Sequence, residues 1–167
     1  MKFWAPLAVL AMSIAFGQKI TIESDTSADF SRYKTFRMME GQLNAKGPTL
    51  NNELVRKKIE DEIRKRLVEK GLKEVSDQPD LNARFNFSAP RRNEVNTYPA
   101  GRLGAATRRE KVQYTDGTLV IDLRDTSRRA LVFHSIAVQS VDDPAKLLDR
   151  LDDMVKKSIE KYPAKKK

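Results

Sequence analysis

The segment Leu81–Ser88 alternates without a fault. Leu81, Ala83, Phe85 and Phe87 fall on one side, and Asn82, Arg84, Asn86 and Ser88 on the other. Successive side chains of a strand point to opposite faces, so this strand has one apolar and one polar face. A sheet built around it must be covered on one side and left wet on the other. Pro79-Asp80 precedes the strand and Pro90 stops it.

Two segments have the pattern needed for the cover. Val55, Ile59, Ile63 and Leu67 recur every four residues, with Leu54 and Val68 beside them, which makes one helical stripe. Asn51 or Asn52 can cap its start, and Gly71 stands where a left-handed C-terminal cap is wanted. Glu53–Lys57, Glu60–Arg64, Asp61–Lys65 and Glu62–Arg66 are acid-before-base pairs four apart; they predict a self-paired, solvated outer face. The second helix opens at Asp143-Pro144, with Asp as cap and Pro at the first helical position. Its stripe is Leu147, Leu148, Leu151, Met154, Val155 and Ile159. Asp149, Asp152 and Asp153 lie early and Lys156, Lys157 and Lys161 late, which suits the helix dipole. Pro163 ends it.

The remaining periodic segments read as strands: Gln18–Glu23, Tyr33–Met39, Glu110–Thr115, Thr118–Arg124 and Ala130–Val141, the last apolar on both faces as a central strand is. Asp116-Gly117 predicts a tight hairpin turn, Asp125–Arg129 a second turn, and Gly41–Asn52 a loop. The fold class expected is α+β: two layers, a mainly antiparallel sheet of five or six strands with two helices packed on one face, in the order ββαββββα.

Pro90–Arg109 lacks periodicity. It carries Arg91, Arg92, Arg102, Arg108 and Arg109 against Glu94 alone, with Tyr98 among them. Structureless connections beyond about 12–15 residues are uncommon in compact domains and are usually functional or disordered. The plain expectation is a mobile hairpin loop. The functional one is an anion-contacting loop, because arginine forks match phosphate and carboxylate bidentately and Tyr98 offers a stacking surface.

At the N-terminus Lys2 precedes an uncharged run, Phe3–Phe16, short of the roughly 20 residues of a membrane-spanning helix. Ala15 and Gly17 fit cleavage before Gln18; Ser13 and Ala15 fit cleavage before Phe16. Residues 1–17 are therefore expected to be a cleavable signal peptide, 18–163 a single α+β domain, and 164–167 a basic tail. The chain would then be periplasmic or secreted, with no stable membrane anchor after cleavage. It has no cysteine, and a formal charge of +9, or +8 without Lys2. Disulfides and thiolate metal ligands are excluded. The charge favours anionic partners without deciding fold or activity; nucleic acid is not expected, since no recognised motif accompanies it.

Few residues point to catalysis. His134, the one histidine, sits in the middle of a strand. No HxxxH, HxH or cysteine cluster suggests a metal, and Gly101–Gly104 lacks the residues of a phosphate loop. No cofactor is expected. An alternative reading is a small hydrolase using Asp122, Asp125 and His134, if those groups converge.

The order of motifs resembles a bacterial exported family known as domain of unknown function 4136. It rests on Asp29-Phe30-Ser31-Arg32-Tyr33-Lys34-Thr35-Phe36, Gly71-Leu72, Pro79-Asp80-Leu81, Gly117–Leu123 with Asp125, Ala130-Leu131-Val132-Phe133 and Tyr162-Pro163. Many members look like lipoproteins; this chain lacks the anchoring cysteine and has Phe133 where tryptophan is usual. The resemblance carries no activity and no catalytic residue. The function expected is a non-enzymatic envelope module that contacts an anionic envelope component or a protein partner.

Overall fold

The computed structural model describes residues 18–100 and 106–163. The signal-peptide reading of 1–17, Arg102 and the basic tail 164–167 lie outside the described residues. The chain forms β1 (Lys19–Ser24), a 3-10 turn (Phe30–Arg32), β2 (Thr35–Met38), β3 (Gln42–Ala45), α1 (Glu53–Glu69), β4 (Lys73–Glu74), β5 (Leu81–Ala89), β6 (Arg91–Ala100), β7 (Ala106–Asp125), β8 (Ala130–Val141) and α2 (Lys146–Glu160). Eight strands make one open sheet in the order β1-β8-β7-β5-β2-β4, with β3 also on β5 and β6 also on β7.

The α+β class and the two helices are as expected; the sheet is larger and more mixed. β2 and β3 both run parallel to β5, and β4 parallel to β2. The helical crossover through α1 returns the chain in the same direction, as parallel neighbours require. β3 falls inside the segment read as a loop.

β2 and β3 share one side of β5 end to end. Their registers differ by one: Met38 lies opposite Ala83, but Gln42 lies opposite Asn86. The extra residue is a β-bulge, and Gly41 sits in it against the buried ring of Phe85.

The strongest departure from expectation is at Asp116-Gly117, which is not a turn. β7 runs straight through it, with Asp116 paired to Ser140 and Gly117 to Gln139. A Cβ on Gly117 would lie 2.5 Å from Leu147 Cδ2, so the glycine is there to let α2 approach the sheet. Within the segment read as a mobile loop, the described residues 91–100 and 106–109 are strand: β6 pairs with β7 from Arg91↔Thr115 to Ala100↔Ala106.

The apolar positions of β5, β7 and β8 meet the stripes of α1 (Val55, Ile59, Ile63, Leu67) and α2 (Leu147, Leu151, Met154, Val155, Ile159) in one core. A register shift after Leu123 leaves Val132 without an opposite residue, and Val132 and Phe133 are both buried. Asn52 caps α1, accepting from the Val55 amide at 3.0 Å, and Gly71 follows it at φ +90°. α2 begins later than expected. Asp143 accepts from the Ala145 amide at 2.9 Å, in a short turn leading into the helix. Lys58 near the start of α1 bonds to the Leu148 carbonyl, and Lys70 at its end to the Glu160 carbonyl. The two helices therefore run side by side in the same direction.

Ser135 and Ser158 are fully buried, and their hydroxyls have no hydrogen-bond partner among the described residues. A buried unsatisfied hydroxyl is destabilising. Ser158→Ala is expected to raise stability by up to about 1 kcal/mol, seen as a higher urea midpoint at unchanged slope; a lower midpoint would show that the hydroxyl is satisfied.

Candidate functional site

The alternation of β7 decides the fate of the carboxylate–histidine set. Leu119, Ile121, Leu123 and Asp125 follow one another on the covered face, and Asp122 lies on the other. Asp122 meets His134 directly across the β7/β8 ladder, Oδ1 to Nδ1 at 2.6 Å. Asp125 is buried behind the sheet. Asp122 and His134 are brought together, but Asp125 is not with them, so the three do not form a common site. Among the described residues no three histidine or acidic side chains are placed to hold a metal ion.

Asp125 belongs to a different constellation. Its carboxylate accepts from the Tyr33 hydroxyl (2.8 Å), the Ser127 hydroxyl (2.8 Å), the Arg128 amide (2.9 Å) and Arg128 Nε (3.0 Å). Burial alone would raise its pKa; the hydrogen bonds outweigh burial and hold the carboxyl far below the usual carboxylate range. Nearby, Asp80 accepts from the amides of Lys34 (2.8 Å) and Thr35 (2.9 Å) and from the Thr35 hydroxyl (3.0 Å). Its pKa is also lowered, against burial, by those donors. Asp29 accepts from the Ser31 amide and holds the 3-10 turn. Phe30, Tyr33, Phe133 and Tyr162 stack edge to face with centroids 5.4–5.8 Å apart.

Most of the motifs singled out in the sequence thus converge at one end of the sheet. They border a shallow depression of about 460 Å³ lined in part by Tyr33, Asp80, Asp125 and Arg128. Internal donors surround both central carboxylates. The arrangement is a clasp joining the N-terminal loop, the start of β5 and the β7–β8 turn. Sequence reasoning found its members but not their meeting, which joins residues 92 apart in the chain.

The opposite end carries the arginines. β5 and β6 keep a single register against β7, from Leu81↔Asp125 to Ala100↔Ala106, with a break at Ala89 and Pro90. Past Thr115 the ribbon leaves the body of the sheet. β8 has ended at Val141 on one side and β3 at Ala45 on the other. Odd-numbered ribbon residues share one face and even-numbered ones the other, and of the two it is the even-numbered face, at Val112 and Tyr114, that is part-buried. Asn93 and Gln113 bond to each other on the first side (3.1 Å), and Arg92 pairs with Glu94 (3.3 Å) on the second.

This alternation divides the expected anion-binding set. Arg91 and Arg109 lie on one face, joined by Lys111; Arg92, Arg108 and Tyr98 lie on the other with Glu94 and Glu110. Arg92 also reaches Asp116 at 3.4 Å. Arg91, Arg108, Arg109 and Lys111 make no ion pair among the described residues. A groove of about 960 Å³ lies at the base of the ribbon, between Val112 and Tyr114, the end of β8, and α2. There Asp142–Lys146 and Asp153–Lys157 are already paired.

A clasped, one-sidedly covered open sheet with two parallel helices and a projecting basic ribbon defines an α+β domain of the two-helix, open-faced class. Residues 21–164 match the family model described as domain of unknown function (DUF4136), and the chain belongs to that family. The sequence matches no curated protein. Among solved structures, the chain is similar to the PelC dodecamer from Paraburkholderia phytofirmans, at 12% identity and TM-score 0.57, covering 89% of this chain and 100% of that one. It is similar to a DUF4136 family protein from Bacteroides thetaiotaomicron, at 13% identity and TM-score 0.50, covering 87% and 96%. A neuraminyllactose-binding hemagglutinin homolog from Helicobacter pylori shares the fold at 12% identity and TM-score 0.52, covering 82% and 86%. No described helix is long and apolar enough to cross a membrane.

Proposed function

We propose that this chain is an exported, non-enzymatic envelope module, periplasmic or secreted after cleavage before Gln18 or Phe16. In this reading it binds an anionic envelope component or a protein partner through the β6–β7 ribbon. The observation that carries the reading is the ribbon itself, a two-stranded arm held away from the core with its cations largely unneutralised. Most of its described residues are exposed, so its stabilisation by packing is small. Arginine presented without an internal acid is available to external phosphate or carboxylate. The carboxylates of the clasp are engaged by internal donors, and Asp125 is parted from His134, which leaves the hydrolase reading without its third group.

The test is an anionic-lipid and glycan screen at two salt concentrations. Wild type is compared with a variant carrying serine at Arg91, Arg92, Arg102, Arg108 and Arg109. The wild type is expected to bind and to weaken as salt rises, because exposed charges are screened over about 8 Å at physiological ionic strength; the variant is expected to lose at least tenfold. Equal binding by both proteins, or indifference to salt, would sink the proposal.

A further inference from the structure

The ribbon has two edges, and they differ. The amide of Asp116 donates to the Pro90 carbonyl at 3.0 Å. Backbone direction alternates along an antiparallel ladder, so the even-numbered residues of β7 turn their N–H and C=O groups toward β6. The odd-numbered ones turn theirs the other way, where β8 lies beside Thr115 and no strand lies beside 106–114 among the described residues. Thr107, Arg109, Lys111 and Gln113 therefore present a row of unpaired donors and acceptors. On the outer edge of β6 the equivalent row is broken by Pro99, whose nitrogen carries no hydrogen. Proline on an edge strand blunts strand addition. The β7 edge contains neither proline nor glycine from Ala106 to Tyr114.

The side chains on that edge have one sign. Of the odd-numbered ribbon residues, Arg91, Arg109 and Lys111 are charged, all positive, and all are exposed. The even-numbered side offsets Arg92 and Arg108 with Glu94 and Glu110. The ribbon's positive excess thus sits wholly on the odd-numbered face, and two of its three cations, Arg109 and Lys111, belong to the residues whose backbone groups form the open β7 edge. A second copy of this ribbon would bring like charges opposite one another, which is destabilising. An acidic strand would bring opposite charges.

We infer that the open edge of β7, Thr107–Gln113, takes up an extended acidic segment of a protein partner as an added strand in the line of β8. Acidic side chains two residues apart would fall opposite Arg109 and Lys111. Main-chain bonds supply affinity and the alternate side chains selectivity, as in other cases of strand addition. This rests on the proposed role of the ribbon and names its partner.

The experiment uses the full chain and a synthetic extended peptide with glutamate at alternate positions, against the same peptide with lysine there. The glutamate peptide is expected to bind and to slow hydrogen exchange at the amides of Thr107, Arg109, Lys111 and Gln113. Arg109→Glu with Lys111→Glu is expected to lose at least tenfold for the glutamate peptide and to gain for the lysine peptide. Lys65→Glu, the same reversal of charge on the exposed face of α1 away from the ribbon, is expected to leave both unchanged. Gln113→Pro keeps the charges and removes one edge donor; it is expected to weaken binding while the β6 pairing persists. Binding without amide protection, or an equal loss in Lys65→Glu, would overturn strand addition. So would anionic-lipid or glycan binding that depends on the arginines while neither peptide binds, and the ribbon's role would then stand. No binding of any anion would remove both.

Discussion

Gly41→Ala is expected to destabilise the protein by about 3 kcal/mol or more, at the upper end of what overpacking a core does. A Cβ there would lie 1.8 Å from Phe85 Cε1 and 2.2 Å from its Cζ. The obstruction is a ring at 1% exposure in the middle of β5, so it has nowhere to swing. Gly41 itself is tied down, its amide donating to Glu60 Oε1 at 3.3 Å, while Arg56 holds Glu40 at 2.7 Å. The bulge between β2 and β3 cannot slide outward without releasing these bonds. Shrinking the ring should relieve the clash. Gly41→Ala combined with Phe85→Leu is expected to cost at least 1 kcal/mol less than the two single losses added, the coupling typical of residues in contact. Urea unfolding of the four proteins measures it; additive losses would show that Gly41 serves the bulge backbone and not the ring.

Asp125→Ala is expected to cost about 3 kcal/mol at neutral pH, because it strips the partner from Tyr33 and Arg128 and removes the acceptor of four hydrogen bonds. The pH dependence separates this loss from lost packing. The folded-state pKa of Asp125 lies below its unfolded value near 3.9. Its contribution is therefore complete above the unfolded pKa and disappears as pH falls toward the folded one. The gap between wild type and variant should be constant from pH 7 to about 5 and narrow steadily below about 4. A gap that persists unchanged into acid would mean that the carboxylate's charge is not what stabilises the clasp. Asp80, shifted in the same direction, should steepen the acid limb of both proteins.

The elements legible in the sequence were those that bury a face. Leu81–Phe87 and the four-residue repeats of the two helices carry the periodicity that burial imposes and folded as their spacing implied, whereas Leu54 and Val68, placed beside the α1 stripe, are exposed. The ribbon carries no such periodicity because little packs on it: its described odd-numbered residues are all exposed. Its strands exist by cross-strand pairing with β7, which a single-sequence pattern does not record. Asp116-Gly117 misled for a related reason: the dipeptide suits a turn, but the glycine answers to Leu147, thirty residues later. The carboxylate–histidine set failed on parity. Asp122 and Asp125 are three apart on one strand, which puts an odd step between them and so opposite faces. The clasp was visible only as scattered motifs, since Tyr33, Asp80 and Asp125 meet through the sheet order.

The shared direction of α1 and α2 has an electrical consequence. Neighbouring helices usually run in opposite directions, and their macrodipoles then cancel. Here they add, each placing about half a positive charge at its start. Both starts lie at the end of the sheet from which the ribbon projects, because α1 follows β3 and α2 follows β8. The arginines and the helix starts reinforce one another, giving the protein a permanent moment along its strand axis. Glu53 at the start of α1 and Asp142 and Asp143 before α2 are the acids that such starts attract, so what the helices add to the arginines is the part these acids leave uncancelled.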